Sequence, residues 1–96
     1  MANFELFKEL IKNGEYYEAH EVLEEFWHTV RKTDNPYKNA YRGFINAAVA
    51  MELKKRGRNN YPKVWATYEK YRYLYLKREE FIEIMNFLDS YSPLKN

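Results

Sequence analysis

The sequence predicts an all-α protein: a compact bundle of about five helices arranged as antiparallel helical hairpins. Three observations carry that expectation. Apolar residues recur three and four apart along almost the whole chain, the period of one helix face. Only three glycines and three prolines interrupt 96 residues, so the elements are few and long. No run alternates apolar and polar residues far enough for a strand, except Tyr71 to Leu76, where helical spacing on both sides prevails.

Each helix follows from its own stripe and its punctuation. Phe4, Phe7, Leu10 and Ile11 make the first, with Asn3 as its N-cap. Asn13-Gly14 ends it, because both residues tolerate the left-handed conformation of a helix end. The second starts near Glu15 and carries Tyr16, Ala19, His20, Leu23, Phe26, Trp27 and Val30. Its acids (Glu15, Glu18) lie first and its bases (Arg31, Lys32) last, as the helix dipole favours. Thr33-Asp34-Asn35-Pro36 is the clearest break: Asp34 or Asn35 can cap, and Pro36 suits a first helical position. The third helix runs from about Tyr37 to Arg56, and its buried side is Ala40, Gly43, Phe44, Ala47, Ala48 and Met51. Such small residues admit a close neighbour. Gly57 stops it. Asn60 caps a fourth helix with Val64, Trp65, Tyr68, Tyr71 and Tyr75 inside; neither Gly nor Pro marks its end, around Lys77 to Glu80. Phe81, Ile82, Ile84, Met85 and Leu88 mark the last helix, closed by Ser92-Pro93. Nothing resembling a linker divides the chain, and residues 1–96 are read as one domain.

A chain this short has a thin core, so large side chains must supply much of the burial. Ten Tyr, six Phe and two Trp do so. The net charge of +2 is too weak to point to a polyanion, and nucleic acid is not the expected partner. Lys54-Lys55-Arg56-Gly57-Arg58 could contact phosphates but reads better as a solvated helix end. Lys70 to Arg78 interleaves bases with Tyr, yet Tyr68, Tyr71 and Tyr75 have core spacing. Without cysteine there are neither disulfides nor thiolate metal sites, which fits a reducing cytoplasm. Neither a signal peptide nor an apolar run of membrane-spanning length is recognisable. Glutamine is absent while Lys, Glu and Tyr abound, a bias towards a thermophile source that abundant Asn opposes. Tyr73, Leu76, Phe87 and Tyr91 exceed what a small core can hold; an exposed remainder would suit a partner or a two-fold homodimer.

The chemistry concentrates on the second helix. At about 100° per residue, His20, Glu24 and Trp27 share a face, with Glu21 to one side. Glu24 is also four residues from His28. An imidazole and a carboxylate facing a core need partners, here Asn46 or Tyr41 on the third helix. His and Glu four apart can also reach one zinc, iron or manganese ion, so His20 and Glu24 are the candidate metal ligands. The ligand set is incomplete, however: the zinc-protease pattern His-Glu-x-x-His has Glu24 in place of its second His. A general-base role for His20 lacks a recognisable nucleophile, and no catalytic residue is assigned.

The segment from Asn13 to Trp27 resembles the signature of the DUF309 family, small helical proteins of unknown function. That signature is a glycine turn and an aromatic start, then Ala-His-Glu, two residues, Glu, two residues and Trp; here Ala19-His20-Glu21, Glu24 and Trp27. Tyr41 to Ala50 is similar to the family's aromatic-Gln-Gly-Leu-Ile-Gln run, with Arg42 and Asn46 at the Gln positions. The Gly57 to Asn60 turn matches loosely, and the likeness spans about residues 13 to 75. The resemblance implies a helical fold and no established activity. The candidate site is therefore His20, Glu21, Glu24, Trp27 and Asn46. The reading is an uncharacterised helical domain with a structural or protein-interaction role and a buried His/Glu/Trp network. The alternative is a metal-binding or metal-dependent hydrolase-like site on His20 and Glu24.

Overall fold

A computed structural model describes residues 2–95. Among them it contains six helices and no strand: α1 (Phe4–Lys12), α2 (Tyr16–Val30), α3 (Lys38–Lys55), α4 (Tyr61–Lys70), α5 (Arg72–Tyr75) and α6 (Glu79–Ser90). The helix ends form where the sequence supplies caps. Asn3 Oδ1 accepts from the Leu6 amide at 3.0 Å. Gly14 and Gly57 close α1 and α3 at φ +76° and +75°, a region glycine enters at no steric cost. Both turns carry the same pair of bonds: Gly14 N–H to Ile11 O and Glu15 N–H to Leu10 O, then Gly57 N–H to Lys54 O and Arg58 N–H to Leu53 O. These are Schellman closures, which satisfy carbonyls a helix end leaves open. In the long connection, Asn35 Oδ1 accepts from the Tyr37 amide at 2.8 Å.

Consecutive helices pack side by side as hairpins, α1 on α2, α2 on α3 and α3 on α4. The long α3 is the spine. Ala40, Phe44, Ala47, Ala48 and Ala50 are fully buried, so the small-residue side does lie inside. All six helices share one core, knit by rings. Phe81 meets Phe4, Tyr37, Tyr41 and Phe44 at centroid distances of 5.4–6.2 Å. These are edge-on geometries that ring quadrupoles favour.

The all-helical bundle is the expected one; its described helices number six because the stretch read as the fourth helix forms two. The fourth helix breaks at Tyr71, with no glycine or proline to announce it. The cause is tertiary. Tyr75 turns onto α3, its ring stacked on Phe44 at 4.5 Å and on Tyr68 at 5.2 Å. Its hydroxyl donates to the Tyr68 carbonyl at 2.8 Å. In an unbroken helix that carbonyl would accept from the Arg72 amide. Space for the hydroxyl exists because residue 43 is glycine: a Cβ there would overlap the Tyr75 oxygen. Gly43 thus accommodates a ring rather than a closely approaching helix.

Arg72 locks the break. Its guanidinium holds Asp89 of α6 through both carboxylate oxygens, at 2.9 and 3.0 Å, and bonds Glu69 as well. The Tyr68 hydroxyl points its single proton between Asp89 Oδ1 (2.9 Å) and the Met85 carbonyl (3.0 Å). Burial pushes the Asp89 carboxyl up, but the Arg72 guanidinium and Tyr68 hydroxyl outweigh it and hold it below its ordinary value. Burial, reinforced by Asp89, keeps the Tyr68 phenol protonated far into alkali.

Candidate functional site

The inner face of α2 is narrow. Only Ala19 and Leu23 are fully buried, and they seat the helix on its neighbours. His20, Glu24 and Trp27 flank that line, and their half-burial reflects it. The His20 side chain is 15 % exposed and that of Glu24 41 %. The expected burial of the His/Glu/Trp network is therefore corrected: it lies on the rim of the core. No polar or charged residue is buried among the described residues.

Local geometry fixes the imidazole. His20 Nδ1 lies 2.7 Å from the Tyr17 carbonyl oxygen, which can only accept, so Nδ1 carries the hydrogen. In the neutral ring, Nε2 then presents a lone pair towards Glu24 Oε2, 3.5 Å away; in the charged ring it presents an N–H. The other carboxylate oxygen of Glu24 is 3.8 Å from Nε2 of His28. Glu24 thus sits between two imidazoles on successive turns, a three-residue row from a period of four. His28 belongs to the row, and its four-residue spacing was the signal for it. Tyr17 rests against the His20 ring at 5.0 Å, and Arg31 stands 5.5 Å from the Trp27 ring.

The remaining candidates stand apart. Glu21 is exposed, and no ion pair involves it among the described residues. Asn46, half-buried on α3, donates to the Arg42 carbonyl of its own helix at 2.8 Å. Tyr41 is buried in the ring cluster, 4.9 Å from Phe26. The expected cross-helix bonds from His20 or Glu24 to Asn46 or Tyr41 are therefore absent among the described residues. Contacts within α2 hold the row instead, because apolar residues occupy the α2–α3 seam.

A cleft of about 230 Å³ opens beside the row, lined by Tyr17, His20, Val49, Glu52, Leu53 and Arg56. Arg56 pairs with Glu52 at 2.5 Å and lies 5.9 Å from the exposed Tyr17 ring. The cleft offers an imidazole, an ion pair, a ring and two aliphatic side chains. As a metal centre the set is short: zinc takes three or more protein ligands. No group of three or more His, Asp or Glu converges on one point among the described residues.

The DUF309 family, described as a domain of unknown function, matches residues 4–62, from the start of α1 into the first turn of α4. The chain belongs to this family. The DUF309 match includes every candidate site residue and excludes the Tyr68–Arg72–Asp89 lock. A relative from Aquifex aeolicus (strain VF5), called an uncharacterized protein, is 43% identical over 44 residues. That stretch is 46% of this chain and 13% of the relative. No solved structure matches the chain. Among the described residues, no helix is long and apolar enough to cross a membrane.

Proposed function

We propose that the chain is a non-catalytic helical binding domain, presenting the α2–α3 cleft beside His20 and Glu24 to a protein partner. One observation carries the reading. His20 is held by a backbone carbonyl and lines a cleft whose other walls join an ion pair to apolar side chains. Oriented polar groups on an apolar floor suit recognition of a protruding side chain. The lining contains no Ser, Thr or Cys, the usual acyl-transfer nucleophiles, which favours binding over acyl transfer. The partner includes a second copy of this chain as one form, since Tyr73 and Leu76 also stand about 60 % exposed. The cysteine-free composition supports a cytoplasmic location.

The test is a photo-crosslinking phenylalanine analogue at Tyr17 in producing cells, with an analogue at exposed Ala66 of α4 as control. A discrete adduct at Tyr17, absent at Ala66 and lost with His20→Ala, is expected; its mass separates a homodimer from another partner. No adduct at Tyr17, or equal adducts at both positions, overturns the reading.

A second reading rests on the row itself. The bond from Nδ1–H to a carbonyl, which leaves the Nε2 lone pair free to ligate, is how proteins orient metal-binding imidazoles. Nε2 and Glu24 Oε2, 3.5 Å apart, are near the ligand separation around a single ion. Here a divalent metal would be held by His20 and Glu24, with water completing the shell. Elemental analysis of tag-free protein decides it: stoichiometric metal lost in His20→Ala is expected, and metal-free wild-type protein overturns it.

A further inference from the structure

A larger hollow, about 530 Å³, lies where the Gly14 turn, the end of α3 and the C-terminal tail meet. Tyr16, Met51, Lys54, Lys55, Tyr91 and Pro93 form most of its wall. The basic run is a solvated helix end as read, but two of its exposed lysines reach across to neighbouring carbonyls. Lys55 Nζ donates to the Gly14 carbonyl at 2.8 Å and stands 5.6 Å from the Tyr16 ring. Lys54 Nζ donates to the carbonyls of Pro93 (2.5 Å) and Lys95 (3.2 Å) and stands 5.6 Å from the Tyr61 ring.

Among the described residues the charge here is unbalanced. Lys8, Arg56, Arg72 and Arg78 each meet a carboxylate. Lys54 and Lys55 meet none among the described residues, and no Asp or Glu lines the hollow. Carbonyls carry only partial charges, so each ammonium head keeps most of its own. The ammonium groups are also pre-positioned, which removes part of the ordering cost of binding. Lys55 retains two N–H donors and Lys54 one. The remaining wall is the Met51 thioether, the Pro93 ring and the phenol rings of Tyr16 and Tyr91, with Gly14 and the Ser92 hydroxyl between them. Its volume suits a small organic molecule, and charged groups on an apolar wall are the common build of such sites.

We propose that this hollow binds a small organic anion, its carboxylate or phosphate between Lys54 and Lys55 and its flat apolar body against Tyr16 and Tyr91. The acidic group supplies the charge the wall lacks, and the rings supply area that an inorganic ion would leave unused. The site is separate from the His20 cleft: the two linings share no residue.

The experiment is amide chemical-shift titration of the full chain at low salt with phenyl phosphate, benzoate, inorganic phosphate and uncharged benzyl alcohol. Saturable shifts at Gly14, Tyr16, Met51 and Ser92 are expected with phenyl phosphate or benzoate, and the stronger of the two identifies the acidic group. Lys55→Met should weaken binding about fivefold or more, and added salt should weaken it as well. Tyr91→Ala should weaken the aryl anions while leaving inorganic phosphate unchanged. No saturation up to about 10 mM of either aryl anion overturns the proposal. So do equal affinities in folded Lys55→Met, or shifts spread over Arg58 and Lys63.

Discussion

Two polar clusters of this molecule are built in opposite ways. The row on α2, His20 to Glu24 to His28, is held within its own helix and runs along the rim of the core, from a largely covered His20 to a half-exposed His28. The cluster around Arg72 joins α4, α5 and α6, and ties a half-buried carboxylate to a buried phenol. The first is visible in the sequence as a spacing of four. The second includes one such spacing, Tyr68 to Arg72, but its centre is Asp89, 17 positions further on, which no spacing links to them. The difference teaches where the polar chemistry acts. The α2 row is held by contacts within a single helix and ties no two elements together. The Arg72 cluster is structural, fixing a break that nothing local dictates.

The largest expected effect tests the structural side. Tyr75→Ala removes a ring stacked on Phe44 and Tyr68 and opens the core, at about 3–5 kcal/mol. Thermal unfolding checks it, and a loss below about 1 kcal/mol would show that the break does not depend on this ring. Gly43→Ala comes next. It forces a methyl onto the Tyr75 hydroxyl for about 1–3 kcal/mol of overpacking, partly offset by about 1 kcal/mol of helix propensity. Removing that hydroxyl as well, in Gly43→Ala with Tyr75→Phe, should recover part of the loss.

Arg72→Ala should cost about 1 kcal/mol, because the ion pair is partly exposed but bidentate. Its pH signature is more specific. The Asp89 carboxyl is held below its ordinary value, so its stabilisation is present above the unfolded pKa and lost as pH falls through the folded one. Melting temperatures across pH 2 to 6 should decline towards acid in the wild type and less steeply in Arg72→Ala. An identical slope would remove Asp89 from the account. The smallest effects belong to α2: Glu24→Gln should change stability by less than about 0.5 kcal/mol at neutral pH, and His20→Ala, which also uncovers packed ring surface, by about 1 kcal/mol. A loss above about 2 kcal/mol from either would place the row in the structural class and erase the contrast.

Much of the architecture was determined by the sequence alone. Apolar period, the Asn3 cap and the two glycine closures are local properties, set by φ/ψ preferences and bonds within a few residues, and all of them appear in place. The row of His20, Glu24 and His28 was legible for the same reason, since residues four apart on a helix are neighbours wherever that helix packs. What the row faces was not. Its position on the rim, the turning of Asn46 to its own helix, the bonds of the α3 lysines to distant carbonyls and the break at Tyr71 all depend on which groups arrive from elsewhere. Only the tertiary structure decided them, because a hydroxyl over Gly43 or a guanidinium on Asp89 joins residues 32 and 17 positions apart. No local period records such a meeting.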